Sequence, residues 1–98
     1  NAYISFAHWA RMAEEAGSFN PPDIIKVYEK GETLPSFVGD VHYRKEDHQC
    51  VRPVIIVKGK MQKDMKNKED YYDVVDIVPG DGLMQKPDDF GCHLGDYT

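Results

Sequence analysis

The spacing of apolar side chains changes period once along this chain, and that change limits the folds open to it. Over residues 2–16, Phe6, Ala10, Ala13 and Ala16 fall on one helical face, with Tyr3, Trp9 and Met12 widening the stripe and Arg11, Glu14 and Glu15 opposite. Gly17 follows as a stop, because glycine enters the left-handed conformation without steric cost. Asn20-Pro21-Pro22-Asp23 announces a second helix over 21–30: asparagine suits the N-cap, proline the first turn, and Asp23 the positive end of the helix dipole. Ile24, Val27 and Tyr28 give that helix its apolar face, and Gly31 ends it. From Phe37 onward the period is two. Phe37, Gly39, Val41 and Tyr43 alternate with Val38, Asp40, His42 and Arg44, which predicts a half-buried strand over 38–44. A second strand is expected over 54–58, covered on both faces because its residues are β-branched and apolar. Pro53 has no N–H for a ladder and belongs at the start of that strand or on an edge. The two strands read as an antiparallel hairpin, with Asp47, His48 and Gln49 in or near its turn.

Residues 58–70 are charged, five lysines against three acids, and read as a solvated loop or a frayed helix. Tyr71, Tyr72, Val74, Val75, Ile77 and Val78 restore apolar character and predict a short strand near 72–78. Pro79-Gly80-Asp81-Gly82 is turn chemistry, too short and isolated for a phosphate loop. The remainder is rich in Pro, Gly and Asp and reads as an irregular tail. Two helices, a hairpin and a tail present more apolar surface than they cover for one another. Phe6, Trp9, Tyr28 and the 54–57 run call for a partner surface, and the chain reads as part of something larger.

Composition narrows the function classes. A net charge of −5 argues against nucleic acid as the main partner, since phosphate binding rests on clustered Lys and Arg. No apolar run approaches the roughly 20 residues of a membrane-spanning helix. Cys50 and Cys92 either bridge to each other, closing a loop worth about 3–4 kcal/mol on the chain-entropy model, or stand as two unrelated thiols. Neither lies in a C-x-x-C pair, so a thioredoxin-like site is not expected. His8, His42, His48 and His93 fit no zinc spacing, and no metal or other cofactor is expected. Asp47-His48 could orient a base, but no nucleophile accompanies the pair. No catalytic residue is assigned. Tyr3 and Trp9 are the candidate ligand-binding residues, as aromatics able to stack on a solute, although aromatics at helical spacing more often pack in a core.

The order of segments resembles a known family. Ala2-Tyr3, Trp9-Ala10 and Ala16-Gly17-Ser18, then Pro22-Asp23-Ile24-Ile25 and Glu29-Lys30-Gly31, are similar to two successive helices of the type I periplasmic binding proteins. These are the substrate-binding components of ABC importers for branched-chain amino acids, amides and urea. Residues 37–44 resemble a recurring strand of that family, Asp47-His48-Gln49 the turn after it, and 54–57 its closing strand. Lys58-Gly59-Lys60, Met65-Lys66, residues 71–75 and Gly91-Cys92 look like the C-terminal extension of one subgroup. No single motif is strong; their collinearity over most of residues 1–80 carries the resemblance.

Members of that family are several times longer. The resemblance therefore implies the C-terminal part of a two-lobe α/β fold, with 1–58 as a segment of the solute-binding domain and 59–98 as an extension. It implies a small solute held between lobes, with the N-terminal remainder of the same protein and a membrane permease as partners, in the periplasm or an equivalent extracytoplasmic space. Two other classes stay open on the residues alone: a small accessory subunit docking on a larger partner, and a small thiol or metal enzyme. The last would need a bound metal or a reactive cysteine of depressed pKa.

Overall fold

A helical hairpin opens the structure, a computed structural model that describes residues 2–95. Helix α1 (Ala2–Ala16) ends at Gly17, whose φ of +62° is the left-handed value the sequence required of it. Helix α2 (Pro21–Tyr28) stops two residues short of the expected 21–30, with Glu29 as its C-cap. Side chains fasten the turn between them. Ser18 Oγ donates to Asp23 Oδ2 at 2.9 Å, and Asn20 Nδ2 donates to the same oxygen at 3.2 Å. These two bonds, that from Ser18 foremost, hold the Asp23 carboxyl below its usual range. Asn20 stands at the N-cap position, yet its side chain makes no bond to a helix N–H.

The inward face of α1 differs from the expected one. Ile4, His8, Met12 and Ala13 are buried, while Tyr3, Phe6 and Trp9 are exposed. An i, i+4 row running Ile4–His8–Met12 meets the core, and a histidine is tolerated in it because both ring nitrogens are satisfied. Nε2 donates to the Pro35 carbonyl at 3.3 Å, which leaves Nδ1 to accept from the Tyr43 hydroxyl at 3.2 Å. The core proper joins Met12 and Ala13 to Ile24, Val27, Leu34 and Val41, with Tyr28, Tyr43 and Cys50 packed around it. Leu34, in what reads as a polar loop, is only 1% exposed. It exchanges both backbone hydrogen bonds with Val41, at 2.7 and 2.9 Å.

The expected hairpin between 38–44 and 54–58 does not form. Instead β1 (His42–Tyr43) pairs antiparallel with β2 (Cys50–Val51), with Asp47 to Gln49 in their connection, and β3 (Val54–Gly59) pairs antiparallel with β4 (Tyr72–Val78). The strand expected over 38–44 shrinks to two residues because a tight turn through Ser36 to Gly39 interrupts it, leaving only isolated bridges at Leu34–Val41 and Phe37–Gly39. The reason for the re-pairing lies at Pro53. Lacking an N–H, it cannot continue the β1–β2 ladder beyond Val51, and its ring packs on Gly39 instead. Past that break the chain starts a fresh ribbon with the other β-branched run. Val54 faces Val78, Ile55 faces Ile77 and Val57 faces Val74, a run of cross-strand apolar pairs with Val75 as the extra residue of a bulge.

Nor is β3 covered on both faces: each of its residues is exposed, and β4 is exposed from Tyr72 to Ile77. Among the described residues nothing layers onto this ribbon, which projects as an arm. The radius of gyration is 17.2 Å, against roughly 13 Å for a compact domain of this length. At the arm's tip Lys60 ties Asp70 (2.7 Å) to Asp73 (3.2 Å), and a 3₁₀ turn covers Gln62–Asp64.

The chain then returns to the body. Gly80 opens a 3₁₀ turn (Gly80–Gly82) and lies so close to residue 52 that a Cβ there would stand 2.2 Å from the Arg52 carbonyl oxygen. Arg44 pairs with Asp47 and also donates through Nη1 to the Gln85 carbonyl at 3.0 Å, clipping the tail to the β1–β2 turn. A last 3₁₀ turn covers Pro87–Phe90, and the rest of the described tail is irregular. Among the described residues no helix is long and apolar enough to cross a membrane.

Two tests follow from this anchoring. Gly80→Ala forces a methyl into the Arg52 backbone and should lower stability by about 1–3 kcal/mol. Gly82→Ala, with nothing within 4 Å, should change it by no more than about 0.5 kcal/mol, both read from thermal melts. The second concerns acid. Its bond from Arg44 holds the Asp47 carboxyl below the ordinary carboxylate range. The pair therefore stabilises fully above about pH 4, and that contribution is lost as pH falls through the depressed value. Asp47→Asn should flatten the acid limb of a melting-temperature profile between about pH 5 and pH 2, leaving the part due to Asp23 and Asp70.

Candidate functional site

The exposed side of α1 carries an aromatic ladder. At i, i+3 spacing Tyr3, Phe6 and Trp9 climb the helix outside the core, and the turn after Gly17 adds Phe19. Phe6 and Trp9 rings lie 5.8 Å apart, and Trp9 and Phe19 lie near-parallel at 6.2 Å with 22° between planes. Beside the second pair is a groove of about 400 Å³ lined by Trp9, Ala10, Ala13, Glu14, Gly17, Ser18 and Phe19. The methyl groups of Ala10 and Ala13 and the bare backbone of Gly17 leave it open, the rings are its apolar surface, and among its lining residues only Glu14 is charged. Neighbouring Glu15 is occupied by Lys30 at 2.7 Å. Among the described residues Glu14 has no ion-pair partner.

Of the two ligand candidates from the sequence, Trp9 lies on this groove and Tyr3 does not. Tyr3 stands against Phe37 at 6.1 Å, at the other end of the ladder. Phe19 escapes sequence reasoning because it sits between a helix stop and an N-cap signal, in what reads as a hinge. A large aromatic directly after the helix-ending Gly17-Ser18 is the signal that points to it.

Other chemistry suggested by residue type is separated by the fold. Asp47 and His48 do not form a pair: Asp47 turns to Arg44, and His48, at a φ of +56°, meets Glu29 Oε1 through Nε2 at 3.0 Å. His8 is in the core, and His42 lies 3.8 Å from Asp81. Among the described residues no three of His, Cys, Asp or Glu gather as a metal site would require. Both cysteines are free thiols in different surroundings. Cys50 packs on the core beside Tyr43, whose phenol is pushed well above its usual range by burial first and by Cys50 second. Cys92 borders a second groove of about 480 Å³, between the β1–β2 turn and the tail, where Arg44 is already engaged by Asp47 and Gln85.

No protein family matches the sequence, and no curated protein does. Among solved structures, the fold is similar to part of a periplasmic binding protein from Burkholderia mallei, with a TM-score of 0.75 at 22% identity over 85% of this chain. Residues 54–78 are about a quarter of the 98, so a match of that extent reaches into the arm. The chain spans 22% of the length of that protein. What the likeness establishes is the fold: two helices and small antiparallel sheets arranged as they are in a portion of a periplasmic binding protein.

Proposed function

We propose that this chain is a segment of the extracytoplasmic substrate-binding component of an ABC importer, of the type I periplasmic kind. In that reading a small solute (an amino acid, an amide, urea or a small carboxylate) is held between two lobes, and this segment contributes helices and strands of the C-terminal part of the protein. The remainder of the same protein and a membrane permease are its partners, and it performs no catalysis. The observation that carries the reading is the backbone likeness, at a TM-score of 0.75 over 85% of the chain, to a protein several times longer. The collinear resemblance of the sequence to the type I periplasmic binding proteins supports it independently. So does the surface: Phe6, Phe37 and the ribbon from 54 to 77 expose apolar side chains that a second lobe or a flanking layer would cover.

A second reading has its own support. The same uncovered ladder and arm are what a small accessory subunit would present to a larger periplasmic partner. Mass spectrometry of the protein isolated from its native source separates the two. The receptor reading predicts one polypeptide several times the 11.2 kDa of this chain, released with a small solute when denatured. An 11.2 kDa chain held by an unrelated partner would overturn it in favour of the accessory subunit.

A further inference from the structure

We infer that the groove beside the stacked Trp9 and Phe19 rings binds a small organic cation, an alkyl- or quaternary ammonium, and rejects solutes that carry a carboxylate. The inference goes beyond the receptor reading: it assigns a second ligand to a groove on this chain's own surface, distinct from any solute held between lobes, and it does not rest on that reading.

Three features select the ligand. The first is size: about 400 Å³ lies within the roughly 300–1,000 Å³ of small-ligand pockets and suits one compact head group. The second is the pair of near-parallel rings at its side, with Phe6 behind Trp9, since aromatic faces attract cations through their quadrupoles. The third is charge. Glu14 is the single ionised residue of the lining, it lacks an ion-pair partner among the described residues, and no cation lines the groove to receive a carboxylate. A methylated or alkyl ammonium meets all three conditions, because its charge is spread over an apolar shell that the rings and alanines contact. A zwitterion or a small carboxylate would bring an anion toward Glu14 with nothing to balance it.

Trp9 is the chain's one tryptophan and reports directly on the groove. Its fluorescence is titrated with tetramethylammonium chloride, with sodium chloride at equal ionic strength as the control. The expected result is a saturating change with a midpoint of roughly tens to hundreds of millimolar, as exposed cation–π contacts and one exposed ion pair give. Glu14→Gln and Phe19→Ala, both at exposed positions, should each raise the midpoint about threefold with an unchanged circular dichroism spectrum. Glycine betaine, the same head with a carboxylate added, should bind several-fold more weakly. A linear response matching sodium chloride, a midpoint unmoved by both substitutions, or equal binding of glycine betaine would each overturn the inference. None of these outcomes bears on the native mass, which tests the receptor reading separately.

Discussion

Pro53 divides this structure. Without an N–H to donate, it ends the short β1–β2 ladder at Val51, and everything before it closes around one small core. Everything immediately after it runs outward as a two-stranded ribbon that finds apolar partners only in its own second strand. The return is as constrained as the departure. Gly80 can lie against the Arg52 backbone only because it has no side chain, and Arg44 then holds the tail through Asp47 and the Gln85 carbonyl. Body, arm and tail are thus three consequences of what residues 52, 53 and 80 allow.

The helix boundaries were legible in the sequence because local chemistry sets them. Gly17 needs a positive φ, Pro21 and Pro22 suit a first turn, and both features act within a few residues. The run at 72–78 was legible for the same reason, as a dense stretch of β-branched and aromatic residues. Pairing was not. Val54 to Val57 could bond to either neighbouring strand on propensity alone, and only the ladder-breaking role of Pro53 against the cross-strand match with Val74, Ile77 and Val78 decides between them. Apolarity alone also misassigned the inward face of α1. His8 is polar, so the pattern passed over it, yet its two hydrogen bonds to distant residues make it a core residue. Leu34 was lost in a polar loop because one residue carries no periodicity. In the groove, Trp9 stood out as a large aromatic on a helix, whereas Phe19 belongs to a turn whose neighbours say nothing of its surroundings.

The surface outcome agrees with the sequence in one respect that matters for function. The helices and ribbon do leave apolar side chains uncovered, with Phe6 70% and Ile77 56% exposed. The two regions differ in kind. The ribbon is apolar along its cross-strand pairs and presents unpaired strand edges, which suits burial against another layer of protein. The ladder near Phe19 is broken by a groove with a carboxylate in it, which suits a small ligand better than a packed interface. A receptor assembled from a longer chain would use both: one surface to join the rest of the protein, the other to meet a small ligand.

Central to the proposed receptor is a ribbon that serves as a packing surface for additional chain. An isolated two-stranded ribbon is at best marginally stable in water, so its amides should exchange rapidly unless something covers it. Amide hydrogen exchange, followed by mass spectrometry on the 98-residue chain and on the protein isolated from its native source, measures this directly. If the ribbon is covered by further chain, as proposed, peptides from residues 54–59 and 72–78 exchange fast in the chain alone and are strongly protected in the native protein, while α1 is protected in both. Equal protection of the ribbon in the chain alone would contradict that proposal.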